Sequence, residues 1–281
     1  MPVNQLPFIP YIHSGEDVIF AFYIFMRVSG LFVLSPLLGN PNIPKYVRML
    51  LIAFITALLA MTLYPDYRGE NPRYILSEFT KDQPLFLFTL FVTSIKEISI
   101  GYLIGFFFSL VIESLLFAAQ STSIMMGFSI SRMLDPISGT TQTLLGQLYV
   151  LCGSLIIVTL DLHHIFIRIT AESFSIIPLG NYQLPPETLD SLAKGSARMW
   201  FHALHLSAIP YTVIFLVTVG LGFMAKIMPE MNIFMVGFPL KIFIGYYCLI
   251  ISINFFPPLI KQSFIEFANL ARIILKHLGS A

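Results

Sequence analysis

Charge is what this sequence has least of. Asp, Glu, Lys and Arg together make up only 11% of its 281 residues, while 56% are hydrophobic. A soluble domain carries roughly 25% charged residues, so this chain lacks the polar side chains needed to cover a fold in water. Net charge is +1, so no nucleic-acid footprint is expected, since that would need a basic face. Cysteine is nearly absent: Cys152 and Cys248 both lie in apolar runs and read as buried, inert thiols rather than a disulfide. The phosphate loop GxxxxGK[ST] is missing, so the chain has no nucleotide motor of its own, and without GxSxG there is no esterase or protease elbow. Residues 1–17 contain no Lys or Arg, and no small-x-small site follows the first apolar run. That run is expected to be retained as a helix rather than cleaved as a leader.

What the chain has instead is long apolar segments. Val18–Leu38 carries Arg27 as its only charge, and Met49–Tyr64 follows Lys45 and Arg48. Leu85–Leu116 includes Lys96, Glu97 and Glu113; Thr143–Leu160, Met199–Ala225 and Ile242–Ile260 carry no charge at all. A membrane helix needs about 20 mainly apolar residues, so the pattern predicts an all-α, polytopic membrane protein of about six helices in a single membrane-embedded domain spanning 1–281. The charges collect between these segments, in Pro65–Asp82 and Asp161–Arg198. No loop is long enough to bury a core of its own. The connectors 39–48, 119–141 and 226–241 hold five Lys/Arg against nine on the opposite side, but the nine lie in longer loops. Weighting short loops places the C-terminus in the cytoplasm.

Proline punctuates the pattern. Pro36, Pro41 and Pro44 follow the first segment, Pro210 is expected to interrupt the fifth, and Pro257 and Pro258 the sixth. In lipid, the carbonyls that proline frees need partners from neighbouring protein, so these helices should contact other helices along much of their length.

Three stretches invite a functional reading. Glu97, Gly101, Gly105, Ser109 and Glu113 recur every four residues, along one ridge of a helix. Gly101-x-x-x-Gly105 permits close backbone approach, and the two glutamates should face partners or water. Lys96 and Glu97 are neighbours in sequence, point different ways and are not each other's partner. Gln120–Gln142 mixes small hydroxyl residues with methionines, which reads either as a buried connector or as a segment lining or closing a passage, since methionine seals around varied shapes. Met228–Lys241 contains two prolines and Gly237; it reads as a short, protein-buried turn that does not continue as helix. The histidines, Asp161-Leu162-His163-His164 and His202 with His205, lack HExxH or CxxC company and read as packing residues rather than zinc ligands.

Four patches, in order, resemble the FliR/SctT family, the R or T components of the bacterial flagellar and type III secretion export gate. They are Arg27 and Gly30 with Pro36 and Pro44-Lys45-Tyr46-Val47-Arg48; Glu97-x-x-x-Gly101-x-x-x-Gly105 leading to Met126-Gly127 and Asp135-Pro136; Asp161-Leu162-His163-His164, Ser173 and Pro178-Leu179-Gly180; and Pro229-Glu230-Met231-Asn232-Ile233-Phe234 with Gly237-Phe238-Pro239-Leu240-Lys241. Leu162 stands where the family usually has glycine, which puts the local turn in question. The resemblance implies a structural, non-enzymatic subunit without cofactor or metal, in the bacterial inner membrane at the flagellar basal body. It implies assembly with FliP- and FliQ-like subunits and an FlhB-like switch protein, around a passage for unfolded export substrates. It assigns a channel plug to Ser123, Met125, Met126, Gly127, Phe128, Ser129 and Met133. Helix packing and assembly fall to Glu97, Gly101, Gly105, Glu113, Pro229, Asn232, Phe234, Gly237 and Pro239. The alternatives are the injectisome form of the same subunit, a proton-coupled transporter using Glu97 and Glu113, and a membrane enzyme using Asp161, His163 and His205.

Overall fold

Long apolar runs without water to bond their amides satisfy them internally, and the helix is the one local structure that does so residue by residue. The computed structural model, which describes residues 15–35, 44–67, 86–128, 143–180, 187–230 and 232–279, shows eight α-helices and, among the described residues, no strand. They are α1 (Gly15–Leu34), α2 (Lys45–Tyr67), α3 (Phe86–Met126), α4 (Leu144–Thr159), α5 (Leu162–Ile176), α6 (Glu187–Ile227), α7 (Ile233–Ser252) and α8 (Phe256–Gly279). A 3-10 turn, Ile253–Phe255, joins the last two. Five helical stretches are long and apolar enough to cross a membrane, the last running through both α7 and α8 (Phe234–Gly279), and six if the broken pair α4 and α5 counts as one span. The all-α, polytopic expectation therefore holds.

The helix ends follow local chemistry. Thr143 caps α4 by accepting the Gly146 N–H on its hydroxyl oxygen at 3.0 Å, and the Asn232 side chain accepts the Met235 N–H at 3.3 Å to start α7. Pro257 and Pro258 fall in the first turn of α8, where the missing amide costs little, so they mark a break as expected. Pro210 does not: α6 runs through it without interruption for 41 residues. The connector 228–241 divides differently from the sequence reading. The chain turns at Met228–Glu230, but Gly237 and Pro239 lie inside α7. The turn is also exposed in this chain, as are Phe234 and Met235, rather than buried. Between α4 and α5 the left-handed backbone falls on Asp161, at φ 54°, a short polar residue that tolerates it. Leu162 is free to begin α5 with its side chain buried.

The helices form two compact units. The first contains α1, α2, α3 up to Ser109, α5 from His164, the start of α6 to Leu192 and α8 from Ala268. Its core is built from Phe20, Ile24, Leu31, Phe32, Ile100, Phe107 and Phe108 of α1 and α3, with Ile169 and Phe174 of α5. The second contains α3 from Leu110, α4, α6 from Ala193, α7 and α8 to Phe267. Here Leu115, Ala118 and Ala119 meet a core that includes Tyr149, Ala203, Phe256 and Phe264. Burial is uneven. Of its apolar window, α3 buries 61%, against 17% for α2 and 17% for α6, so the last two present most of their apolar side chains outward. Both cysteines are free thiols.

Candidate functional site

At the centre of the first unit lies an ion pair in an apolar environment. Arg27 on α1 and Glu97 on α3 are both fully enclosed, with Arg27 Nε donating to Glu97 Oε2 at 2.6 Å. A buried ion pair holds only if its remaining donors and acceptors are also met. Arg27 Nη1 donates to Ser173 Oγ at 3.2 Å and Nη2 to the Ile177 carbonyl at 3.2 Å. The guanidinium lies 4.1 Å from the centroid of the Phe174 ring, within cation–π range. Glu97 Oε1 accepts the Gly180 N–H at 2.8 Å, from the turn where Gly180 has φ 77°. Lys96 points elsewhere, reaching the Gly180 carbonyl at 3.5 Å. One carboxylate and one guanidinium therefore tie α1, α3 and the end of α5 together.

The glycine ridge makes that tie sterically possible. A side-chain carbon on Gly101 would collide with the Arg27 carbonyl and the Leu31 amide, and one on Gly105 would lie 2.7 Å from the Leu31 carbonyl. From the other side, Gly30 abuts the Ile98 carbonyl in the same way. The close approach anticipated for Gly101 and Gly105 thus has its partner, α1, within the same chain. Further along the ridge burial fades, with Ser109 half-buried and Glu113 exposed.

The second unit holds the end of α3, where the sequence places a plug. Ser123 and Met126 are buried, and Met125, Gly127 and Phe128 are half-buried; Ser129, Met133, Asp135 and Pro136 lie outside the described residues. Gly127 ends the helix at φ 93°. Its N–H donates to the Ile124 carbonyl at 3.0 Å and that of Phe128 to the Ser123 carbonyl at 3.1 Å. This pair of bonds is the Schellman ending, which uses a left-handed residue that glycine adopts without cost. Among the other assembly candidates, Pro229, Asn232, Phe234 and Pro239 are exposed, and Gly237 is buried against Leu221. Pro36, Pro41 and Met231 lie outside the described residues.

Sequence reasoning flagged Glu97 without naming its partner. The available signal was that Arg27 is the sole charge of the first apolar run. It also missed Glu266, which receives both Arg198 and His202 Nε2, the latter at 2.9 Å, joining α6 to α8 within the second unit. His205 stacks on Phe201 at 4.2 Å between ring centroids. A further tie, Arg272 to Glu172 at 2.8 and 3.3 Å, fastens the end of α8 to α5 in the first unit.

Apolar helices of spanning length, enclosed charges that are paired, and proline-bearing helices with outward apolar faces define a polytopic α-helical membrane protein built to pack against other surfaces. The profile of the family described as Bacterial export proteins, family 1, matches residues 18–267, and the chain belongs to that family. Among its relatives, the flagellar biosynthetic protein FliR of Bacillus subtilis (strain 168) is 27% identical over 262 residues, covering 91% of this chain and 94% of the relative. FliR of Escherichia coli (strain K12) is 24% identical, covering 92% and 93%. FliR of Aquifex aeolicus (strain VF5) is 25% identical, covering 95% and 98%.

Proposed function

We propose that this protein is a structural subunit of the bacterial flagellar protein-export gate, seated in the inner membrane at the basal body. Together with FliP- and FliQ-like subunits, and next to an FlhB-like switch protein, it lines and closes a passage for unfolded export substrates. The observation that carries this reading is the match over nearly the whole chain to a bacterial export family whose relatives are named as flagellar biosynthetic proteins. The outward apolar faces of α2 and α6 support it, because a gate subunit needs surface for both lipid and sister subunits. The subunit works without catalysis, and the energy for export is supplied by other components. Within it, Ser123, Met125, Met126, Gly127 and Phe128, continuing to Ser129 and Met133, form the barrier. Pro229, Asn232, Phe234, Pro239 and Glu113 serve contacts with sister subunits, while Glu97, Gly101, Gly105 and Gly237 serve assembly through helix packing within the chain.

Two experiments test this. Deletion of the gene should abolish motility; loss of effector secretion with flagella intact would assign the chain to an injectisome instead. Removal of residues 125–129 should make the assembled gate leak ions across the resting membrane. Unchanged conductance in that variant would show that these residues are not the barrier.

A further inference from the structure

We propose that α7 is a latch that grips the C-terminal end of α3 and thereby sets whether the barrier stays shut. The proposal rests on the gate reading above and names the element that regulates that site.

Three contacts, all within the second unit, make the grip. A side-chain carbon on Gly127 would lie 2.6 Å from Cε1 of Phe238, so the Phe238 ring covers the bare backbone of the helix-ending turn. In the reverse direction, Met126 covers Gly245: a side-chain carbon there would lie 2.6 Å from the Met126 terminal methyl and 2.8 Å from its sulfur. Phe128 then meets Tyr246 edge to face, with ring centroids 6.4 Å apart. Each helix thus contributes one glycine recess and one bulky side chain that fills the other's recess. Phe238 and Gly245 stand seven residues apart, which is two turns, and so lie on one face of α7. A two-way fit of this kind resists both sliding and rotation of the α3 end, which a single contact would not.

The grip also lies at the edge of the fold. Upstream, Ala118, Ala119 and Thr122 of α3 are enclosed, whereas Gly127, Phe128 and Phe238 are only half-buried and Tyr246 is exposed. Pro239, directly after Phe238, lacks the N–H that would bond one turn back. The first turns of α7 are therefore joined to the rest less firmly than an unbroken helix would be. Release begins where those turns lift Phe238 from Gly127 and is complete when Met126 leaves the Gly245 recess. Phe128 directly precedes residues 129–142 in sequence, so whatever holds Phe128 fixes where that segment begins.

The test uses the whole gate in cells. Phe238→Ala and Tyr246→Ala, made singly and together, should each raise resting ion leak, the pair by about tenfold if the latch shifts a two-state equilibrium. Co-purification with the sister subunits should be retained. A second arm places a cysteine pair, Met126→Cys with Gly245→Cys, in a chain carrying Cys152→Ala and Cys248→Ser. Oxidation should stop export, and a reductant should restore it. If the latch variants do not fold, the disulfide arm decides: a cross-link that forms fully and leaves export unchanged overturns the latch. If removing residues 125–129 causes leak but neither latch variants nor cross-link has any effect, the latch is wrong and the gate reading stands. If that deletion causes no leak, residues 125–129 are not the barrier, and the reading of that site on which the latch rests has failed.

Discussion

Replacing Glu97 by leucine tests the central claim about the first unit. The substitution removes the carboxylate that faces Arg27 at 2.6 Å and the acceptor of the Gly180 N–H. Arg27 keeps Ser173 Oγ, the Ile177 carbonyl and the face of Phe174, none of which carries a full negative charge. Breaking one side of a buried pair costs about 3–5 kcal/mol, because the surviving charge remains out of water. An orphaned amide costs about 1–3 kcal/mol in addition, though the two losses overlap. Against a total stability of about 5–15 kcal/mol, this is enough to unfold a marginal protein. The expected outcome is loss of the chain from membranes by immunoblot, with motility lost in parallel. Arg27→Leu should behave similarly, since it leaves Glu97 as the unpaired charge. The double variant Arg27→Leu with Glu97→Leu should accumulate better than either single one, because no charge is then left behind. Its recovery stops short of wild type, since the Gly180 N–H and the Ile177 carbonyl still lose their partners. Wild-type levels of the Glu97→Leu chain, or a double variant no better than the single, would refute the argument.

Two further outcomes follow from the packing. Gly101→Leu drives a side chain into the Arg27 carbonyl and the Leu31 amide; the chain should fail to accumulate, and normal levels with lost co-purification would instead make Gly101 a contact with another subunit. Thr143→Ala removes the α4 cap and should cost about 1 kcal/mol, read as a lower midpoint in thermal unfolding of the detergent-purified protein; an unchanged midpoint would mean that the cap contributes nothing to stability.

Hydropathy made the number and order of the apolar spans legible, because a helix that meets lipid or protein on every side must be apolar throughout. It did not reveal where they end. The run marked at Leu85–Leu116 stops ten residues short of the α3 C-terminus, and that at Met199–Ala225 starts twelve residues after the α6 N-terminus; both belong to 41-residue helices, each about 60 Å long at 1.5 Å per residue. Their polar ends look like loops in a hydropathy scan but are helical, since Gln120, Ser121 and Ser123 cost a helix little. Proline misled in the same way at Pro210, where the surrounding turns hold the helix. The Arg27–Glu97 pair was hidden for a different reason. Its members are 70 residues apart, and nothing local to either fixes which way the two helices rotate. The Gly101 ridge was legible as a close-approach surface, while its partner, α1, was not. Of the proposed barrier, only the glycine at its helical edge had a signature that the backbone could be checked against.

The Arg27 site also sets a timetable. Arg27 is made early, yet Glu97 follows 70 residues later, and the Ile177 carbonyl 150 residues later. At about 5–20 residues per second, the complete cage arrives roughly 8–30 s after the arginine. Throughout that interval the nascent α1 carries a charge whose full set of final neighbours does not yet exist, at a cost of about 2.5–3.5 kcal/mol if it is held at the bilayer centre. Snorkelling to the headgroups and local water lower that cost until α3 and α5 emerge. The unit that synthesis begins first is therefore one that it completes late, with Arg272 of α8 closing onto Glu172 near the end of the chain.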